Sequence, residues 1–210
     1  GRIDTLKLVE TYRKYLQENN WIRFEKFNHK DILFENTSLK YHSLEAAKII
    51  FCEGFGLKKN PYFNHLPLEE VKGEIITILA PELEIDFLLK STLFVLPLGN
   101  NHYKVGATFN HKDKTSIPSK EGKEELIEKL KKVITVPYSI VEQSAGIRPA
   151  VKDRRPMVGV HAKHSQLSVL NGLGTRGVMI APTVAKNLFH HLEYGEKLDQ
   201  EIDIKRFVKK

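Results

Sequence analysis

The sequence has little of several residue types: one cysteine, one tryptophan and two methionines among 210 residues. A lone cysteine, Cys52, excludes an intramolecular disulfide framework and is typical of a protein kept in a reducing compartment. No basic segment followed by an apolar one opens the chain, so nothing marks it for secretion and we expect a cytoplasmic location. The longest apolar runs, residues 91–98 and 178–182, are too short to cross a bilayer.

The sequence does contain enough apolar material for a core. Hydrophobic residues make up 41% of the chain, with 11 phenylalanines and 7 tyrosines, which excludes a disordered protein. The net charge of +7 permits an anionic ligand or a polyanionic partner. The lysines are scattered, however, and no basic stripe of the kind that binds nucleic acid is evident. We interpret the positive charge as a solvated basic surface.

Hydrophobic periodicity and turn residues predict an α+β fold. The predicted elements, in chain order, are helix 5–19, strand 21–27, hairpin 32–41, buried strand 48–52, strands 72–79, 92–96 and 103–109, helix 120–133, strands 135–143, 158–161 and 167–171, and helix 179–194. The three middle strands read as an antiparallel meander. The prediction is therefore an antiparallel domain with one helix, residues 58–143, that interrupts a unit made of residues 1–57 and 144–210.

A glycine-rich segment, GLGTRG at residues 172–177, follows a predicted strand and precedes a predicted helix. It matches the G-x-G-x-x-G fingerprint of dinucleotide-binding folds, in which glycines let the backbone approach an anion at a helix start. That fingerprint also needs a second parallel strand ending in an acid about 20 residues further on. Residues 196–206 are charged and weakly patterned instead. We therefore predict a loop that closes over a ligand bound mainly elsewhere.

Arg148 stands directly before Pro149, which restricts it to an extended backbone. A planar guanidinium presented in this way suits a carboxylate ligand. The other interpretation is a structural arginine paired with Asp153 or another acid, and spacing alone favours that second interpretation.

Two C-terminal segments carry a resemblance to a known family. AGIRPAVKDRRPMVG followed by LSVLNGLGTRGVMIAPTVAKNLFHHLEYG resembles the C-terminal part of FAD-dependent oxidoreductases of the D-amino-acid oxidase family. IIFCEGFG looks like that family's strand before a glycine turn near the flavin, and KGEIITI and LPLGNNHYKVGATFN look like its substrate-domain strands. The resemblance implies a substrate domain inserted in the remnant of a Rossmann-like FAD-binding domain, residues 1–57 and 144–210.

The same resemblance implies a truncated flavoprotein. Family members begin with a strand, glycine loop and helix that hold the ADP part of FAD, and nothing in residues 1–40 is similar to these elements. The full-length oxidoreductase is then expected to bind FAD and to oxidise an amine or amino acid by hydride transfer to the flavin. This fragment alone is expected to bind FAD weakly or not at all, to be inactive, and to have the missing N-terminal half as its partner.

The family match also implies roles for single residues. Arg148 would bind the substrate carboxylate, and Thr175 and Arg176 would line the substrate cavity. Gly54 would form the turn near the isoalloxazine. The loop facing the pyrimidine end of the flavin would consist of Gly172, Leu173, Gly174, Thr175, Arg176 and Gly177. No catalytic acid or base can be placed.

Two other functions stay open at this point. One is a binding or structural module that kept the fold and lost the cofactor half. The other is flavin-dependent modification of a tRNA base, because the two C-terminal motifs also look like those of the bifunctional tRNA enzyme in the same family. A metal site is not expected: the pairs His161/His164 and His190/His191 have no cysteine or acid at ligand spacing.

Overall fold

The computed structural model describes residues 3–207. Gly1, Arg2 and residues 208–210, at the outer ends of the two segments predicted to form the nucleotide-binding remnant, lie outside the described residues. The helices are α1 (Thr5–Glu18), α2 (Lys120–Leu130) and α3 (Gly177–Tyr194). The strands are β1 (Ile32–Phe34), β2 (Leu39–Tyr41), β3 (Leu44–Ala46), β4 (Ile49–Phe51), β5 (Leu68–Leu79), β6 (Leu89–Lys90), β7 (Phe94–Gly99), β8 (His102–Gly106), β9 (Ser139–Val151), β10 (Met157–Val160) and β11 (Leu167–Asn171).

The largest sheet has five strands in the order β6-β7-β8-β5-β9, and all neighbours are antiparallel. Helix α2 covers one face of it, because Leu126 and Leu130 are buried against Ile76, Ile78 and Val105. Such burial removes apolar surface from water and is the main term holding helix to sheet. The predicted antiparallel sheet with one helix is present, but the meander order is wrong for its first strand: β5 pairs with β8 and not with β7, its successor among the predicted strands.

Strand β9 is longer than the prediction of residues 135–143. It pairs with β5 from Ser139 opposite Leu79 to Val151 opposite Leu68, with one irregularity between Thr77 and Ile78. The sequence did not predict the C-terminal part of this strand, because a proline such as Pro149 is disfavoured inside a strand that is paired on both sides. Since β9 is the edge strand, the missing N–H of proline costs little there. Strand β9 therefore runs from the predicted antiparallel domain into the predicted remnant.

A second sheet joins the two ends of the chain. Its order is β10-β11-β4, with β10 antiparallel and β4 parallel to β11. The aromatic side chains of Phe51 and Phe63 are buried beside Met157 and Val169 in its core. A third, small sheet contains the predicted hairpin β1-β2 and the additional strand β3.

Two details differ from the sequence prediction, and a third agrees with it. Residues 21–27 form no strand, because Trp21 and Phe24 are exposed and no neighbouring strand pairs with them. The strand predicted to include a buried Cys52 ends at Phe51, and Cys52 is exposed. Helix α3 ends as predicted, with Gly195 in the left-handed region at φ +70°.

The helices of the described part have mixed polar and apolar surfaces. None of the three, within residues 3–207, combines the length and the apolar character that a bilayer crossing needs.

Candidate active site

A cleft of about 700 Å³ lies between the β5/β9 face and the loop after β11. Its walls contain six of the predicted site residues: Arg148, Gly172, Leu173, Gly174, Thr175 and Arg176. Gly54 and Gly177, the other two predicted residues, are not among its lining residues. The remaining walls come from Glu69, Val71, Phe109, His111, Ala150, Val151, Lys152 and Arg154. Segments far apart in the sequence therefore meet at one concave surface, the usual form of a small-molecule site.

The β5/β9 pair explains which side chains face the cleft. Arg148 lies opposite Val71, and Ala150 lies opposite Glu69. Because side chains two residues apart share one face of a strand, Arg148 and Ala150 point the same way on β9. Strand alternation therefore puts the predicted carboxylate-binding arginine into the cleft.

The glycine loop is shaped by two left-handed residues. Gly172 has φ +70°, and a Cβ built there would come within 2.6 Å of the Val151 Cγ2 atom. Gly174 has φ +59°, and a Cβ there would meet nothing within 4 Å. Only glycine adopts this geometry without strain. The loop is thus packed tightly against β9 at Gly172 and stays open on the cleft side at Gly174.

Asn171, which the sequence reasoning did not single out, connects the loop to Gly54. Its side-chain nitrogen donates to the Gly54 carbonyl at 2.9 Å, and its side-chain oxygen accepts from the Gly172 N–H at 2.8 Å. Gly54 itself has φ +57° and sits at the start of a 3-10 turn. The two predicted glycine segments are therefore neighbours even though only one lines the cleft.

The start of α3 has no side-chain cap and follows directly on a 3-10 turn, Gly174–Arg176. Gly177 is its first residue, and the preceding Arg176 makes no side-chain capping hydrogen bond. Uncapped N–H groups at a helix start attract negative charge. The positive end of the α3 dipole therefore points toward the loop at residues 172–177, a setting that is compatible with a negatively charged or electron-rich group.

Arg148 is held by neutral groups. Its Nη1 donates to the Thr108 carbonyl at 3.2 Å, and its guanidinium carbon lies 4.6 Å from the centroid of the Phe109 ring. Burial lowers the pKa of Arg148 below its usual value. Within the described residues no carboxylate lies within 4.0 Å of it, so a buried part of its charge is left for a ligand to neutralise.

The structural pairing of Arg148 with Asp153, which spacing alone favoured, is wrong. The Asp153 carboxylate instead accepts from Arg206 Nε at 2.9 Å and from the Arg155 backbone N–H at 3.0 Å. Asp153 lies in the turn after β9, beyond the end of the strand that holds Arg148. The spacing suggested a pair because it ignored the extended strand between them.

A buried lysine fixes the loop that carries Thr108 and Phe109. The backbone of Lys72 exchanges two hydrogen bonds of 2.9 Å with Asn110, and its ammonium, which is fully buried, donates to Asp113 Oδ2 at 2.6 Å. Glu74 adds a bond from its N–H to Thr108 Oγ1 at 2.9 Å. The wall above Arg148 is therefore attached to β5 by both backbone and charge.

This attachment predicts a sensitivity to acid. The hydrogen bond from Lys72 lowers the pKa of Asp113 to about 2, assisted by donors from Thr115. Because this folded-state pKa is below the value of about 3.9 expected in the unfolded chain, ionised Asp113 stabilises the fold above about pH 4, and the stabilisation is lost as the pH falls toward about 2. We expect the urea midpoint of Asp113→Asn to fall less steeply than that of the wild type over this window.

Urea unfolding followed by circular dichroism at several pH values measures both slopes. Asp86→Asn, at an exposed aspartate outside this network, serves as the matched control and should keep the wild-type slope. Equal slopes for wild type and Asp113→Asn would contradict the prediction.

The histidine pairs have local partners. His161 Nδ1 accepts from the backbone N–H groups of Lys163 and His164, at 3.2 and 3.1 Å, and burial lowers the pKa of His161. His190 contacts Glu196 at 3.1 Å. In the part of the chain that the structure describes, no three metal-ligating side chains come together.

Solved structures share this architecture. Glycine oxidase from Geobacillus kaustophilus superimposes with a TM-score of 0.70 at 20% identity, over 85% of this chain and 52% of that one. L-Proline dehydrogenase from P. horikoshii gives a TM-score of 0.69 at 16% identity, over 84% of this chain and 52% of that one. The mixed fold with antiparallel sheets is therefore shared with these two enzymes.

Comparison of the sequence with family models gives the family of this chain. The sequence model of the family described as FAD dependent oxidoreductase (DAO) matches residues 1–190. This chain belongs to that family, as its motifs predicted.

Curated relatives are longer than this chain. The tRNA 5-methylaminomethyl-2-thiouridine biosynthesis bifunctional protein MnmC of Idiomarina loihiensis is 30% identical over 161 residues, which are 71% of this chain and 26% of that protein. Glycine oxidase of Bacillus subtilis is 25% identical over 153 residues, 70% of this chain and 41% of that protein. The chain thus spans about a quarter to two fifths of these relatives and about half of the solved structures.

Proposed function

We propose that this chain forms the substrate-binding part of an FAD-dependent oxidoreductase that oxidises an amine or amino acid bearing a carboxylate. The observation that carries the proposal is Arg148: its guanidinium is half-buried, has no acidic partner among the described residues, and lines the same cleft as the glycine loop. Charge-assisted bonds from a planar guanidinium to a carboxylate are among the strongest that proteins make.

The roles of the other residues follow from their positions. The loop at residues 172–177 and the start of α3 would face the flavin pyrimidine, where their N–H groups stabilise negative charge. Thr175 and Arg176 would border the substrate. Bound FAD supplies the hydride acceptor, and the chain's own residues hold the substrate so that the carbon next to its amine faces that acceptor. No acid or base in the cleft is assigned a proton-transfer role.

The architecture belongs to the same proposal. Residues 58–143 would be the inserted substrate domain, and residues 1–57 and 144–210 the remnant of the FAD-binding domain, joined through the β4/β11 pairing. Contacts to the ADP end of FAD would come from a part of the protein other than the described residues. We expect residues 1–210 by themselves to hold FAD weakly.

The two alternatives receive less support. Membership of a family of FAD-dependent enzymes speaks against a module that has no cofactor. The names of several relatives refer to tRNA, but the cleft of this chain offers a guanidinium suited to a carboxylate.

Anaerobic flavin reduction tests the proposal. The natural full-length protein, loaded with FAD, is mixed with amino acids and secondary amines, and the visible flavin absorbance is followed. At least one α-amino or N-alkyl amino acid should bleach the flavin. 2-Aminoisobutyrate is the matched control, because it carries the same amine and carboxylate but no hydrogen on the α-carbon to transfer. Failure of every carboxylate-bearing amine to bleach the flavin would refute the proposal.

A further inference from the structure

The cleft contains more positive charge than one carboxylate needs. Four cationic side chains line it, namely Arg148, Lys152, Arg154 and Arg176. Glu69 is the one acid in the lining, and it lies 4.0 Å from His111, which also lines the cleft. Within residues 3–207 no carboxylate lies within 4.0 Å of any of the four cations. Such a concentration of unneutralised charge at a concave surface attracts anions.

The extra cations are separated from Arg148 along one strand. Lys152 follows the end of β9 and is four residues after Arg148, with Ala150 between them on the same face. At about 3.3 Å per residue, the two backbones are about 13 Å apart. When the two side chains extend side by side across the cleft, a single carboxylate does not contact both of them.

Arg154 lines the cleft although its backbone adopts an unfavourable conformation. Its φ of +59° lies in the left-handed region, which residues with a Cβ rarely adopt. The neighbouring Asp153 fixes this turn through Arg206. Arg155, the next residue, instead pairs with Glu201 at 2.9 Å, away from the cleft lining. Backbone strain of this kind occurs mainly at functional sites.

We propose that the substrate carries a second anionic group, a carboxylate or a phosphate, which Lys152 and Arg154 bind at the end of the cleft distant from Arg148. This inference rests on the proposed function, in which Arg148 holds the first carboxylate. The substrate class is then an amino acid with an acidic side chain or a phosphorylated one. The Ala150 methyl group and Val71 provide the apolar floor between the two anionic ends.

Isothermal titration with isosteric pairs tests this second subsite. Glutamate is compared with glutamine, and O-phosphoserine with serine, each as both enantiomers, on the natural full-length protein loaded with FAD. The first pair tests a second carboxylate and the second pair a phosphate. We expect the acidic member of at least one pair to bind about tenfold more tightly than its neutral partner, since charge-assisted bonds are about twice as strong as neutral ones.

The variants remove the cations without straining the turn. Lys152→Met keeps the apolar stem, and Arg154→Gly suits the left-handed backbone, so the double variant should fold normally. It should lose the preference for the acidic ligand and keep the affinity for the neutral one. Arg155→Ala is the control for the Arg154 substitution: it removes one positive charge at the neighbouring residue, which lies outside the cleft lining, and should keep the preference.

Two results would overturn the inference: equal affinities within both pairs for the wild type, or a preference that survives the double variant, whether or not that variant retains FAD less well. Preferred binding of RNA, lost in the double variant without any effect on the four small ligands, would also overturn it. The proposed function fails separately, when binding of the neutral ligand does not depend on Arg148.

Discussion

The Arg148→Ala variant is expected to bind a carboxylate-bearing substrate about thirtyfold more weakly than the wild type. Removing one partner of a buried, hydrogen-bonded charge pair costs 2 to 5 kcal/mol or more in general, and the lower value of about 2 kcal/mol applies because Arg148 is half-buried. The lost contact is to the ligand: the bonds that Arg148 makes within the protein are to the Thr108 carbonyl and the Phe109 ring.

The Arg148→Lys variant distinguishes the effect of the positive charge on affinity from the effect of the planar guanidinium. The lysine keeps the positive charge and loses the planar fork of donors, so we expect an intermediate affinity. Titration of glycine or another amino acid into the FAD-loaded protein gives the dissociation constants, and thermal unfolding by circular dichroism checks the fold. Arg13→Ala, on the exposed face of α1, controls for the change in net charge. Unchanged affinity in Arg148→Ala would indicate a substrate without a carboxylate, and tRNA-base modification would then gain support.

The sequence predicted the antiparallel strands and the helix on them, although not the place of β5 beside β8, because local pattern and final packing agree there. Leu126 and Leu130 recur at helical spacing, and both are buried. The prediction failed for residues 21–27, where β-forming residues alternate with charges but no strand pairs with their backbone. Strand formation depends on a partner, and local sequence does not reveal whether one is present.

The candidate site was predictable where one motif supplies it. Arg148 and the glycine loop were noticed from their own neighbours, but the carboxylate-binding role of Arg148 came from the family resemblance, since its spacing favoured a pair with an acid. The structure brings both to one cleft. Lys72 was missed, because a lysine in a strand is normally solvated. Its burial follows from Asp113, 41 residues away, which no local pattern links to it. Thr108 and Phe109 were missed for the same reason.

Gly73 gave a signal that the sequence reasoning did not use. A glycine inside a strand often marks the close approach of another group. Here that group is the Arg148 guanidinium: a Cβ built on Gly73 would lie 1.9 Å from Arg148 Nη2 and 2.1 Å from Cζ. The absence of a side chain at Gly73 therefore leaves the space in which the guanidinium lies.

Gly73→Ala is accordingly expected to weaken binding of a carboxylate-bearing substrate nearly as much as Arg148→Ala, about tenfold or more. The added methyl group and the guanidinium cannot share this space, so the side chain of Arg148 must leave its position. The strand itself should be unharmed, since alanine has less conformational freedom to lose than glycine and the clash is with the end of a flexible side chain.

Gly146→Ala is the matched control, because Gly146 pairs with Gly73 across β5 and β9 and a Cβ built there would meet nothing within 4 Å. It should keep the wild-type affinity. Titration of the same amino acid into wild type, both single variants and the double variant Gly73→Ala/Arg148→Ala gives a thermodynamic cycle. If Gly73 acts through Arg148, the double variant should bind no more weakly than Arg148→Ala alone, since both substitutions remove the same contact between the guanidinium and the ligand. Additive losses, or an unchanged affinity in Gly73→Ala, would show that the guanidinium binds its ligand from another position.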